Sequence, residues 1–247
     1  MAQTLSQNDK NVLSRIFESH PSGSLATSPI DPTLPNSLPS FPPGVLSELR
    51  ELEFATINPL DSANPSQESL RQSIDRLTEL ITSYPQYSSA YNNRAQALRL
   101  VHGDDLYSEA VRDSTLWSDL CSAITFASPR QPRQRVCELQ GQILRSAYAQ
   151  RGYLTWKAAK NLETTGNLNN LPPELTGLDK EAIEDKARSD LEAAGRYGDQ
   201  EAKKMAISAN PYARLCGNIV EEAMIAELQN MRDSWNGGQS HAFAKGI

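Results

Sequence analysis

The side chains with chemical reach are few, and their placement argues against catalysis. Histidine serves as a general base or metal ligand when a patterned element holds it beside a partner. His20, His102 and His241 fall instead in a proline-rich stretch, a Gly-Asp turn and a polar tail. Cys121, Cys137 and Cys216 form no Cys-x-x-Cys pair, and their odd number gives no disulfide framework. They read as reduced, partly buried thiols of a cytoplasmic protein, with the nucleus as the second compartment. The acid pairs Asp104-Asp105 and Glu221-Glu222 read as solvated faces or helix ends. No glycine-rich phosphate loop is present. The expectation is a protein without catalytic residues, metal or cofactor. What remains is amide and cation chemistry, concentrated in Asn92, Asn93, Gln96 and Arg99. An amide both donates and accepts, so it can hold a foreign chain or tie neighbouring helices together.

The elements that position these groups are helices. With 247 residues, 38% of them hydrophobic, the chain can bury a core without metals or disulfides. A formal charge of -6 argues against nucleic acid as a partner. The densest cationic stretch, residues 129–135, contains Pro129 and Pro132 and reads as a solvated loop and helix start. Residues 1–10 lack the apolar core of a signal peptide, and no run reaches the roughly 20 apolar residues of a membrane span. Val12, Leu13, Ile16 and Phe17 suggest a short amphipathic helix, capped by Asn8 or Asp9, that either docks on the body or acts as a tethered recognition element. Seven prolines from Pro21 to Pro43, mixed with Ser and Thr, predict an extended, mobile linker up to residue 43.

From residue 44 to 235 the pattern is helix after helix, so the fold class is all-α. Leu46, Leu49, Leu52 and Phe54-Ala55 are read as one apolar stripe, and Leu70, Ile74, Leu77, Leu80 and Ile81 as the next. Between them lies a turn with Pro59 and Pro65, and Ser66 is placed to cap the second helix. Alternating β-branched runs are absent. Small residues where two helices cross, bulky ones in the gaps and a proline near the close of each pair fit three irregular tetratricopeptide units, about 45–85, 88–129 and 134–198. Tyr91, Ala95 and Leu98 with Leu116, Leu120, Ala123 and Ile124 carry the second unit; Tyr148, Gly152 and Tyr153 with Ala187, Leu191 and Ala194 carry the third. Residues 161–180, rich in Gly, Asn and Pro, read as a surface loop interrupting it. Periodicity alone leaves a generic helical bundle open.

Ala90-Tyr91-Asn92-Asn93-Arg94-Ala95-Gln96-Ala97-Leu98-Arg99-Leu100, then Gly103-Asp104, resembles the tetratricopeptide repeat protein 36 family. So do Gln150-Arg151-Gly152, Asn210-Pro211-Tyr212-Ala213 with Leu215-Cys216, and the opening Asn8-Asp9, Val12-Leu13 and Ile16-Phe17. The resemblance spans nearly the whole chain outside the linker, the 161–180 insertion and the tail 236–247. It implies stacked helix pairs whose first helices line a concave face. On that face Asn92, Asn93, Gln96 and Arg99 are expected beside Ala149, Gln150 and Tyr153. Asn93 matches the asparagine with which chaperone-binding relatives grip a peptide; the clamp's other positions, a Lys and an Asn on the first unit and a Lys and an Arg on the third, fall on Arg50, Phe54, Ser146 and Gln150, so most of its charge is missing. The resemblance further implies a protein or peptide partner: the cytosolic seventy-kilodalton heat-shock chaperone, or an enzyme of tyrosine breakdown held as a client. A scaffold without a chaperone link is the alternative.

After the third unit, Asn210-Pro211 reads as a helix start, and residues 201–235 as a capping helix covering the last repeat or as a partner-binding amphipathic helix. Trp117, Trp156 and Trp235 read as packing residues first and as exposed anchors second.

Overall fold

The computed structural model describes residues 29–41, 43–58, 65–131, 133–165, 170–210 and 227. The expected amino-terminal helix at residues 12–17, residues 21–28 of the expected linker, most of the expected capping helix, Trp235 and the tail lie outside them. Eight helices occur among the described residues: α1 (Pro43–Ile57), α2 (Gln67–Ser83), α3 (Ser88–His102), α4 (Glu109–Arg112), α5 (Leu116–Ala127), α6 (Glu138–Thr165), α7 (Lys180–Arg196) and α8 (Gln200–Ser208). Successive helices pack in pairs, α1 with α2, α3 with α5 and α6 with α7, and each pair leans on the next. The pairs are the three repeat units. The only β pairings among the described residues are two isolated bridges, Ile30 with Val136 and Leu38 with Phe41.

The helix starts follow from their caps. Ser66 Oγ accepts from Ser69 N at 3.0 Å, as its position before α2 predicts. Asp179 and Asp199 do the same for α7 and α8, taking Ala182 N at 2.8 Å and Ala202 N at 2.9 Å. Each satisfies an otherwise orphaned N–H and puts negative charge on the helix's positive end. At the other end of α3, Gly103 takes φ of 84°, a backbone state that a side chain would strain.

The second and third repeats close on the same internal device. Arg94 on α3 grips Asp119 on α5 through Nε at 2.8 Å and Nη2 at 2.7 Å. Arg151 on α6 grips Asp190 on α7 through Nε at 2.7 Å and Nη2 at 2.8 Å. Both guanidinium groups also stand over the tyrosine three residues earlier, 5.9 Å from the Tyr91 ring and 5.7 Å from Tyr148. One position on, the residue is small, Ala95 or Gly152. A Cβ on Gly152 would meet Leu191 Cγ at 2.9 Å and Leu191 N at 3.1 Å, so α6 and α7 approach as closely as only glycine permits.

Three expectations are corrected. Residues 29–41 are docked on the body rather than forming a free linker. Pro29 O accepts from Val136 N and Asp31 N donates to Val136 O, both at 2.8 Å. Ile30 sits against Gly141, Asn36 Oδ1 accepts from Leu139 N, and Leu38 is buried beneath Phe41 and Tyr87. Proline forbids helix but not docking in an extended form. The 161–180 segment is also not simply a surface loop. Residues 161–165 complete the last turn of α6, and Leu171 and Leu175 are buried against Ala158, Ala159 and Ile183. Their spacing, with Leu178, wraps one apolar side of a tight turn onto the core. Finally, a continuous helix over 201–235 is not formed: α8 ends at Ser208, ahead of Asn210-Pro211, where proline disfavours helix in the residue before it.

Candidate protein-binding face

The first helices of the three pairs, α1, α3 and α6, meet on one side. On α1 the buried stripe is Leu46, Leu49, Glu53 and Thr56, whereas Leu52 and Phe54 are 58% and 64% exposed. This corrects the stripe expected from the sequence: the spacing 46, 49, 53, 56 is the true helical face, and it carries a carboxylate into the interior.

Glu53 therefore becomes the centre of the face. Its Oε2 accepts from Tyr87 Oη at 2.7 Å and Ser89 Oγ at 2.9 Å; its Oε1 accepts from Asn93 Nδ2 at 2.8 Å. Burial pushes its carboxyl above the usual 4.5, while the three donors and the more distant Arg50 pull back. Burial, and then the neighbouring Glu53 charge, push the Tyr87 phenol up as well.

Five of the expected site residues, Asn92, Asn93, Arg99, Gln150 and Tyr153, are linked to it through one another, and Gln96 is not. Asn92 Nδ2 donates to Asn93 Oδ1 at 3.3 Å, and Gln150 Nε2 donates to Asn92 Oδ1 at 3.1 Å. Arg99 Nη1 donates to Gln150 Oε1 at 3.3 Å, while Arg99 Nε holds Asp104 Oδ1 at 2.8 Å. The Arg99 guanidinium lies 5.5 Å from the Tyr153 ring centroid. The donors thus run one way, Arg99 to Gln150 to Asn92 to Asn93 to Glu53, from a cation to a buried carboxylate across all three repeats. Such a chain fixes each amide's orientation and polarises its neighbours. Asn92 and Gln150 are buried inside it, Ala149, Asn93, Arg99 and Tyr153 are half-buried, and Gln96 is exposed.

Beside this chain opens a groove of about 440 Å³, lined by Ser47, Arg50, Phe54, Ile57, Asn93 and Leu139, with Glu51, Glu53 and Ser89. Two of the clamp positions, Arg50 and Phe54, face it; the other two, Ser146 and Gln150, bond to each other at 3.2 Å. Asn93 sits at the groove, with one of its two amide N–H groups engaged by Glu53. Sequence reasoning missed Glu53, and its signal was an acid at a core position of the α1 stripe.

A second cavity, about 290 Å³, lies among Trp117, Cys121, Arg151, Glu174 and Asp190. Trp117 Nε1 donates to Glu174 there at 2.8 Å. Burial pushes the Cys121 thiol up, away from the thiolate a nucleophile needs. Among the described residues no cluster of His, Cys, Asp and Glu is arranged for a metal, and no helix is long and apolar enough to cross a membrane.

Glu53 gives a pH prediction. Its folded-state carboxyl is raised, so its contribution to stability is fully present below the unfolded value and is lost as pH rises through the folded one. In urea titrations from pH 4.5 to 7.5, stability of the parent relative to Glu53→Gln is expected to fall with rising pH. A relative gain for the parent would show instead that the donors outweigh burial.

Stacked helix pairs, the second and third locked by an Arg–Asp clamp and all three presenting their first helix to a common face, define a helical-repeat protein of the tetratricopeptide type. The chain is 36% identical over 248 residues to the L-tyrosine degradation gene cluster protein hmgX of Aspergillus fumigatus, covering 92% of this chain and 95% of that one. It is 30% identical over 231 residues to the tetratricopeptide repeat protein 36 homolog of Drosophila pseudoobscura, covering 89% and 94%. With tetratricopeptide repeat protein 36 of Danio rerio it shares 28% identity over 226 residues, covering 91% and 95%. The chain belongs to the tetratricopeptide repeat protein 36 family. No family model and no solved structure matches it.

Proposed function

We propose that this protein is a non-enzymatic, cytoplasmic adaptor that holds a segment of another protein against the face formed by α1, α3 and α6. The observation that carries the reading is the groove beside Asn93, where Phe54 stands 64% exposed next to a rigid polar network. Exposed aromatics beside ordered polar groups are what interface anchors are made of. The name of the hmgX relative places that protein in an L-tyrosine degradation gene cluster, which favours a client in tyrosine metabolism. With Arg50 the one cation on the groove among the described residues, the grip on an acidic chaperone tail lacks its charged partners. A chaperone contact, on this reading, uses another part of the chaperone.

The test is affinity capture from cytosol by the parent and by Phe54→Ala, read by mass spectrometry. The expected result is a partner captured by the parent and reduced about tenfold with the variant, a loss typical of one aromatic anchor, at an unchanged melting temperature. Equal capture by both proteins would rule out the face. Capture that depends on the partner's free carboxyl terminus would identify a chaperone adaptor; recovery of a metabolic enzyme without chaperone would identify a dedicated client-binding protein.

A further inference from the structure

Glu53 is a charged group taken almost wholly out of water, 6% exposed, and its donors are all neutral. Among the described residues no Lys or Arg forms an ion pair with it; Arg50 acts on it only through space. A buried carboxylate ordinarily has a cation as counter-charge. It also offers about four acceptor positions, of which Tyr87, Ser89 and Asn93 fill three. The unfilled one belongs to Oε1, and Glu53 lines the open groove together with Glu51. The walls beside it, Phe54, Ile57 and Leu139, are apolar.

We infer that this groove takes a basic side chain of a partner polypeptide, arginine or lysine, whose N–H donates to Glu53 Oε1 while its aliphatic stem lies on Phe54. The inference rests on the reading of this face as protein-binding and names the chemistry of what is bound. Long basic side chains commonly lay their methylene stems along apolar surface and carry the charge to its edge. An acidic residue fits poorly: one of the two Asn93 amide N–H groups that would receive it already donates to Glu53, and the incoming charge would face a like charge. Arg50 is an exposed rim residue and tunes the groove without filling it.

The experiment is an amide-resonance titration of the full chain with N-acetyl-L-arginine amide, its neutral analogue N-acetyl-L-citrulline amide and N-acetyl-L-glutamate amide. Saturable shifts at Ser89 and Asn93 are expected with the arginine compound, about tenfold weaker with citrulline as the charge-assisted bond is lost, and none with glutamate. Glu53→Gln is expected to erase the preference for arginine over citrulline. Arg50→Gln, at an exposed position that does not test folding, is expected to tighten arginine binding about threefold, as one screened charge repulsion is removed. Equal responses to arginine and citrulline, or tighter binding of glutamate, would overturn the inference. If proteins are captured through Phe54 while the arginine compound leaves Ser89 and Asn93 unmoved, the basic-ligand inference fails and the adaptor function stands. If arginine binds but no captured protein depends on Phe54, the subsite stands and the adaptor function fails.

Discussion

Replacing Arg94 by alanine is expected to cost about 3–5 kcal/mol of folding stability, the usual penalty for orphaning one member of a buried ion pair. Asp119, 2% exposed, would keep only the Thr115 hydroxyl at 3.0 Å as a side-chain donor. Burial already pushes the Asp119 carboxyl up against the pull of Arg94, so removing the guanidinium leaves burial unopposed. Thr78, which accepts from Arg94 Nη1 at 3.0 Å, would lose its tie between α2 and α3. The double variant Arg94→Met with Asp119→Leu is expected to recover most of the loss, because apolar residues of similar volume remove the charge as well as its partner. Arg151→Ala should cost less, since Arg151 and Asp190 keep 22% and 14% side-chain exposure and water can replace part of the pair. Urea unfolding of all four proteins checks the ordering. A loss below about 1 kcal/mol for Arg94→Ala would mean the pair behaves as a surface bridge.

Leu175→Ala is expected to cost about 2–5 kcal/mol, the range for truncating a buried leucine. Leu175 is 1% exposed and packs in the cluster that holds Leu120, Leu154 and Ile183. Its segment therefore fills the joint between α6 and α7 rather than decorating it. Thermal unfolding of Leu175→Ala beside Thr176→Ala, an exposed neighbour, separates a core contribution from any general effect on the loop. Equal, small losses from both would return the segment to the status of a surface insertion.

Leu175 also shows where the sequence was readable and where it was not. Helix α2 was legible in full because its cap, Ser66, and its stripe, Leu70, Ile74, Leu77 and Ile81, are all local signals. The run around Asn93 was legible for its face and its family. Three features were not. Glu53 broke the apolar pattern of α1, and Leu52 and Phe54 were hydrophobic enough to suggest the wrong face. The order in residues 29–41 arises from contacts such as Ser37 with Cys137 and Asn36 with Leu139, about a hundred residues apart, which no window of local composition can contain. The acid partners of Arg94 and Arg151 lie 25 and 39 residues away, at separations that differ because the 161–180 insertion falls inside the third unit. Repetition was hidden by unequal spacing, although the clamp chemistry repeats closely.

The one-way run of donors from Arg99 to Glu53 bears on how the repeats melt. In a repeat array whose units touch only their neighbours, an end unit can fray while the rest persists. Here Gln150 of the third unit is joined through Asn92 and Asn93 of the second to Glu53 of the first. Losing α1 strips Asn93 of its acceptor, and reversing any one amide would set donor against donor at the next. Fraying at the first repeat therefore loosens the amides of the third, and the three units are expected to melt as one cooperative block instead of unzipping from an end.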